Sequence, residues 1–412
     1  MGRAEPVDKR LAAFSDPESF WRSLDMSACD KASPAQAGTR GALYGMRVVD
    51  LSRVLAGPLC AQILGDLGAQ VVKVEAPQGD ETRRLGKAGA EGSAPYFMGL
   101  NRNKCGIVLD LEDAEDRAVL HALIASADVV IENFRQGTME RWGLSYEEVL
   151  APQYPGLIYL NISGFGSTGP LAGLPGYDAV AQALAGLMSI NGHAATGATR
   201  VGVPVCDIST GLFAAIALLA AWSYRHQSGC GQRIDANLYA SGLSLLHPHA
   251  ANFWMQDLRP GLTGNAHPSI APYETFVVRG EAMFIGVVND GQFAKLCQYL
   301  QLDALTDDPR FQRAADRVVH RAALHEMLRE AFERCWHPDL WRALMGAGVP
   351  AGMVRSVEEA LMSEQTSALG LVPDRGFFGV PFPVRLSRTP ATQRMRAPAL
   401  QAASAETPRQ SP

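Results

Sequence analysis

The sequence predicts an α/β protein: a Rossmann-like, doubly wound large domain joined to a smaller α+β domain. Three observations lead to the two-domain reading. Between Met46 and Ile162, short apolar runs alternate with segments of helical period. Those runs are apolar enough to be buried on both faces, as parallel sheets require. After Tyr224-Arg225-His226 the pattern changes to a hairpin followed by helices.

Each element has its own signal. Met46–Leu51 reads as a strand and Ala56-Gly57-Pro58 as a turn. Leu59, Cys60, Ile63, Leu64 and Leu67 then recur at helical spacing until Gly68. Gln70–Glu75 is the next strand, completing a β-α-β unit. Ile107–Leu109 is a strand, and Asp110–Asp113 caps a helix carrying Val119, Leu120, Leu123 and Ile124 on one face. Asp128–Glu132 and Leu157–Ile162 continue the sheet. An apolar strand from Val201 runs into Asp207, ahead of a helix beginning near Ser209 whose run Leu212–Trp222 reads as buried. Thr275–Arg279 and Ala282–Val288 form a hairpin turning at Gly280, and Arg321–Cys335 is a helix. Gly348–Val354 reads as a return to the first domain. The expected layout is an N-terminal extension (1–40) with an amphipathic stretch at Phe14–Leu24, a large domain (41–229), a small domain (230–340), a return segment (341–398) and a disordered tail (399–412).

Composition narrows the function. The 412 residues carry 37 Lys and Arg against 42 Asp and Glu, a net charge of −5. Without a long basic run, neither nucleic acid nor an anionic membrane is the expected partner. Seven scattered cysteines without a C-x-x-C pair suit a reducing compartment, and the first residues lack a signal-peptide pattern. A cytoplasmic location is expected.

The first β-α turn, Ser52–Pro58, is not G-x-G-x-x-G, and Pro58 removes an N–H that a pyrophosphate could use. Those facts argue against an NAD dehydrogenase. Arg83, Arg84, Arg102, Lys104, Arg135 and Arg141 sit near strand ends. Singly each reads as a solvated charge; clustered, they would suit a phosphate-bearing ligand. Asp207 reads locally either as a helix N-cap or as a nucleophile backed by helix N–H groups, and the pattern leaves both open. Cys206 would point the opposite way, into the core. Asp178 is likewise open between a cap for Ala179–Leu187 and a functional role. His247-Pro248-His249 has no nearby carboxylate or thiol, so no metal site is expected.

Ordered motifs go further. They include Gly45–Pro58, Leu67–Glu75, Gly79–Arg83, Asn101–Lys104, Ala127–Gly137, Gly166–Pro170, Pro175–Gln182 and the strand ending at Asp207. Together, from about Leu43 to Pro398, they resemble the family III CoA transferases, which include formyl-CoA transferase and the carnitine CoA transferases. The resemblance implies that Asp207 is the nucleophile. It implies CoA contacts from Leu55 and Ala56, from Ala76, and from Leu109, Asp110, Leu111 and Glu112. Further contacts would come from Asn133, Phe134, Arg135 and Arg141, and from Leu174, Pro175, Gly176 and Tyr177. It also implies an interlocked homodimer, acyl-CoA and carboxylic acids as substrates, and CoA as a co-substrate rather than a resident cofactor.

The implied mechanism is ping-pong, through an acyl anhydride and then an aspartyl-CoA thioester on Asp207, with a carboxylate already ionised at pH 7. Succinyl-CoA is a candidate donor. α-Methylacyl-CoA racemases share the fold, but they pair a histidine with the aspartate where this chain has Tyr177, and a glutamate where it has Val287–Asp290. A tyrosine with a pKa of about 10 is a poor neutral proton shuttle, so transfer is favoured. Two departures stand out. Ala397–Leu400 runs straight into the polar tail, and the glycine-rich shielding loop of formyl-CoA transferase has no counterpart nearer than Gly261–Pro268. Formate and oxalate are therefore not favoured as substrates.

Overall fold

A computed structural model describes residues 20–21 and 40–400. The amphipathic stretch at the N-terminus, apart from Phe20 and Trp21, and the tail from residue 401 lie outside the described residues. Contacts divide the chain into two units. One comprises the residues up to Gly186, Gly202–Leu245 and those from Gln365; the other comprises Leu187–Val201 and Leu246–Glu364.

The first unit is built on a six-stranded sheet. In chain order its elements are β1 (Arg47–Asp50), α1 (Ala56–Asp66), β2 (Gln70–Glu75), α2 (Pro95–Met98), β3 (Lys104–Val108), α3 (Ala114–Ala125), β4 (Val129–Glu132) and β5 (Ile158–Ser163). They are followed by α4 (Asp178–Leu184), α5 (Val205–Ser228) and β6 (Arg233–Asn237). The strand order is β3-β2-β1-β4-β5-β6, and every neighbouring pair is parallel. The chain therefore winds outward to one side of β1, then returns to β4 and winds to the other.

Burial on both faces explains the unbroken valine runs. Val49, Val72 and Val130 share a core with Leu120, Leu123 and Ile124 of α3. Alternate residues point to the other face, where α1 packs close: added Cβ atoms at Gly65 and Gly57 would meet Val71 and Ile131, each at 3.6 Å. Asp113 caps α3 by accepting from the N–H groups of Glu115 and Asp116, as its position ahead of the helix suggested.

Several expectations are corrected here. Trp21, in the extension expected at most to dock on the main fold, is buried within the core of the first unit, and its Nε1 donates to Ser126 Oγ at 3.0 Å. Arg233–Asn237, placed in the small domain, is the sixth strand of the large sheet; its run Arg-Ile-Asp-Ala-Asn is too polar to read as a core strand. Residues 187–201 fall in the second unit. The segment 348–354 does as well: Ala351–Met353 pairs antiparallel with Glu281–Gly286 rather than returning to the first sheet.

The second unit holds the three-stranded antiparallel sheet formed by β7 (Tyr273–Val278), β8 (Glu281–Gly286) and β9 (Ala351–Met353). The hairpin turns at Arg279-Gly280, both at positive φ (52° and 85°), the conformation that a tight two-residue turn demands. Phe276, Met283 and Ile285 pack against Leu324, Leu328 and Phe332 of the helix Arg321–Cys335, which forms where the sequence placed it.

Candidate active site

The first unit contains a cavity of about 750 Å³ at the carboxyl ends of its strands. It opens where the winding reverses, between the residues that follow β1 (Arg53–Ala56) and those that follow β4 (Asn133–Gly137). Open parallel sheets bind ligands at that point, because the two departing loops leave a crevice there. Asp207 lines the same cavity, as do the loop Leu174–Tyr177 and the end of β5.

The turn after β1 is under strain. Val54 has φ of 69°, a region that β-branched residues avoid. The Asn133 side chain clamps the preceding residue from both sides: Arg53 N donates to Asn133 Oδ1 at 2.8 Å, and Asn133 Nδ2 donates to Arg53 O at 2.7 Å. The Asn133 amide is thus engaged in shaping the turn. Beyond it α1 starts at Ala56 without any side-chain cap, and Pro58 supplies no N–H. The first-turn N–H groups of Ala56 and Gly57 are therefore the ones that an uncapped helix start leaves over.

The loop carrying Leu174–Tyr177 lies tight on the end of β5. A Cβ on Gly176 would come within 2.8 Å of Gly164 Cα and 2.9 Å of the Phe165 ring. Glycine at both crossing points lets the backbones touch. Tyr177, the residue ahead of α4, is 63% exposed on the cavity.

Asp207 does not follow a strand, nor does it cap its helix. Residues 201–204 are irregular, α5 begins at Val205 after Pro204, and Asp207 sits in the first helical turn. No side chain within that segment caps α5. Instead Asp178 Oδ1 accepts from Cys206 N at 2.8 Å and from Asp207 N at 3.2 Å, while Gln182 Nε2 donates to Asp178 Oδ2 at 2.6 Å. Asp178 is thus the first residue of α4, not its N-cap, and it serves the neighbouring helix. Burial, and then the Asp178 charge, push the Asp207 carboxyl up to about 7. This corrects the expectation of a fully ionised aspartate at neutral pH. Cys206 is fully buried and pushed up to about 12 by burial and both aspartates, which removes it as a nucleophile.

Of the expected CoA contacts, Leu55, Ala56, Asn133, Phe134, Arg135 and Leu174–Tyr177 line the cavity with Asp207. Ala76, Leu109–Glu112 and Arg141 do not. Leu109 and Leu111 turn into the core with α3. Glu112 stays linked to the site, because it accepts from Trp142 Nε1 at 3.2 Å and Trp142 packs edge-on against Phe134. The six cations do not gather on a ligand face. Arg83 is paired with Glu75 (2.6 Å), Arg102 with Asp66 (2.6 Å) and Lys104 with Asp50 (2.8 Å), all buried. Arg84 donates to Gln78 O, and among the six only Arg135 reaches the cavity, beside Arg53 and Arg233.

Sequence reasoning missed two features. The Tyr96 phenol, on α2, is pushed up to about 12 by burial and then by the charges of Asp207 and Asp178; no local pattern marks an electrostatic influence spanning so much chain. Glu132 also lines the cavity, with Tyr159 OH donating to it at 3.0 Å and Phe134 N at 2.7 Å. Burial pushes its carboxyl up. An acid closing a parallel strand was the available signal.

A family model described as CoA-transferase family III matches residues 43–404. The chain belongs to CoA-transferase family III. Among its relatives is a succinate–glutarate CoA-transferase of Agrobacterium fabrum, 38% identical, with the match covering 87% of this chain and 92% of that protein. A succinyl-CoA:glutarate CoA-transferase of Mus musculus is 36% identical over 95% of this chain and 91% of that one. A solved CaiB/BaiF family protein of Brucella suis is 40% identical with a TM-score of 0.78, covering 87% of this chain and 96% of that structure. This family III CoA-transferase is therefore an enzyme whose substrates include CoA thioesters.

Proposed function

We propose that this CoA-transferase moves CoA from succinyl-CoA to a second, di- or hydroxycarboxylic acid by a ping-pong reaction on Asp207. The observation that carries the reading is the placement of Asp207 on one cavity with the uncapped start of α1 and the loop Leu174–Tyr177. Relatives named for succinyl-CoA, glutarate and D-citramalate support the substrate class.

In the first half-reaction an Asp207 carboxylate oxygen attacks the thioester carbonyl and CoA leaves as thiolate. The Ala56 and Gly57 N–H groups suit the oxyanion that forms. The thiolate then attacks the Asp207 carbonyl of the anhydride, the C–O bond breaks, and the donor acid leaves. The acceptor carboxylate reverses the sequence. CoA would run along the Rossmann-like crevice, past Phe134 and Arg135, with Ala76, Leu109–Glu112 and Arg141 at its outer end. With succinyl-CoA, wild-type protein is expected to give an intact-mass adduct mapping to Asp207, and Asp207→Ala neither adduct nor transfer. Transfer by Asp207→Ala overturns the reading.

The working unit would be a homodimer in the cytoplasm. The run on α5 expected to be buried, Leu212–Trp222, is only partly so: Ala214, Ala215, Leu218 and Ala221 are covered, whereas Leu212, Phe213 and Ile216 are 46–63% exposed. An apolar stripe of that kind suits a second copy of the chain. Ile216→Asp is expected to lower the solution mass measured by light scattering toward one chain; a wild-type protein that is already monomeric would rule the dimer out.

A further inference from the structure

We propose that Asp178 is a positioning residue for Asp207: it fixes the nucleophile's backbone and, by its own charge, makes the Asp207 carboxylate a stronger nucleophile and a poorer leaving group than an ordinary aspartate. The proposal rests on the reading of Asp207 as the nucleophile.

The geometry supplies the first half. The Asp178 carboxylate is 9% exposed, and its hydrogen-bond donors are two peptide N–H groups, one of them Asp207's own, and a neutral amide. No cation is among those donors. Asp178 therefore does the work of the missing N-cap of α5 while holding a negative charge next to the carboxyl it positions. A helix start would ordinarily favour an ionised acid in its first turn, but here the N–H groups of Cys206 and Asp207 are already engaged.

The groups around Asp207 decide the second half. Asp178 on α4, Tyr96 on α2 and Cys206 on the same turn are the titratable neighbours, and the phenol and thiol are both pushed up to about 12. At neutral pH the charge facing Asp207 is thus that of Asp178, which together with burial raises the Asp207 carboxyl to about 7. Attack on the thioester carbon forms a C–O bond, releases the C–S pair to the thiolate and removes the charge from Asp207. The repulsion felt by the free carboxylate vanishes in the anhydride and in the aspartyl-CoA thioester, so Asp178 drives formation of the covalent intermediate without touching substrate. Below pH 7 Asp207 is protonated and the same device silences it.

The test is single-turnover formation of the Asp207 adduct from succinyl-CoA, followed by mass across pH 5.5–8.5. In the wild type the rate is expected to rise about tenfold per unit up to about pH 7 and then level off, as expected for a single ionisation. Asp178→Asn keeps the two accepted N–H bonds and removes the charge. Its midpoint is expected to fall by about one pH unit or more, with a plateau rate about tenfold lower and a melting temperature no lower than that of the wild type. Asp178→Ala, which removes the acceptor too, should also lower the melting temperature. Should Asp178→Asn not fold, Asp178→Ser, a short uncharged acceptor, takes its place. A rate that drops equally at every pH in the uncharged variant, with no movement of the midpoint, marks a merely structural role and overturns the inference. An absent adduct in the wild type overturns instead the reading on which it rests.

Discussion

Two regions of the large sheet carry charge at or near strand ends, and they are built to opposite ends. Around β1, β2 and β3, Asp50, Asp66, Glu75, Lys104, Arg102 and Arg83 are buried and matched pair by pair. Lys104 Nζ also donates to Pro58 O and Asn101 Oδ1, each at 2.8 Å, while Asn103 accepts from the N–H groups of Arg394 and Met395. This region is a clasp that closes the start of α1 and ties down the C-terminal segment. Around β4 and α5, Glu132, Arg135 and Asp207 border open space, and the two acids pushed up by burial, Glu132 and Asp207, lie there. Asp66 is pushed up as well, yet its partners are all internal. A shifted carboxyl marks a functional place only where a ligand can reach it.

Lys104→Met should separate the two regions most sharply. It leaves Asp50 buried without its paired cation, at a cost of about 3–5 kcal/mol, and is expected to abolish the cooperative thermal transition or move it down strongly. Retention of wild-type stability would show that the clasp is dispensable. Next in size, Gly176→Ala must push aside the Gly164 backbone, whose Cα lies 2.8 Å from the new Cβ. It is expected to lower kcat/KM by about tenfold with a stability loss of about 1–3 kcal/mol, read by steady-state kinetics and melting. Smallest is Arg135→Ala: a KM for the CoA thioester raised by a few fold, more at low salt, with the melting temperature unmoved. If it destabilised the fold as a clasp residue does, the contrast between the regions would fail.

The Asp207 carboxyl also ties stability to pH. Its folded value lies above the ordinary one, so the stabilisation it gives is fully present below about 4 and is lost as pH rises through about 7. The proposed nucleophile is therefore held at some expense to the fold at working pH.

Much of the fold was legible because parallel strands buried on both faces write unbroken apolar runs, and helices write their period. Strand β6 escaped because Arg233, Asp235 and Asn237 give it a polar text, although it pairs fully with β5. The segment before Asp207 misled for the reverse reason: Val201–Cys206 has a strand's composition, but residues 201–204 are irregular and the helix claims Val205 and Cys206. The site was legible as residue types in order, through Asp207 and the loops after β1 and β4. Which of six cations face a ligand was not, because that depends on acids 8 to 54 positions away in the chain.

Local pattern and ordered motifs were enough for the alternation of elements and for the family, and they singled out Asp207. The state of its carboxyl needed the folded chain. Asp178 precedes Asp207 by 29 residues, and its place beneath the first turn of α5 follows from how two helices pack. A carboxyl's basicity is set by what surrounds it in space, by the water excluded and by the charge nearby. No spacing along the chain records either.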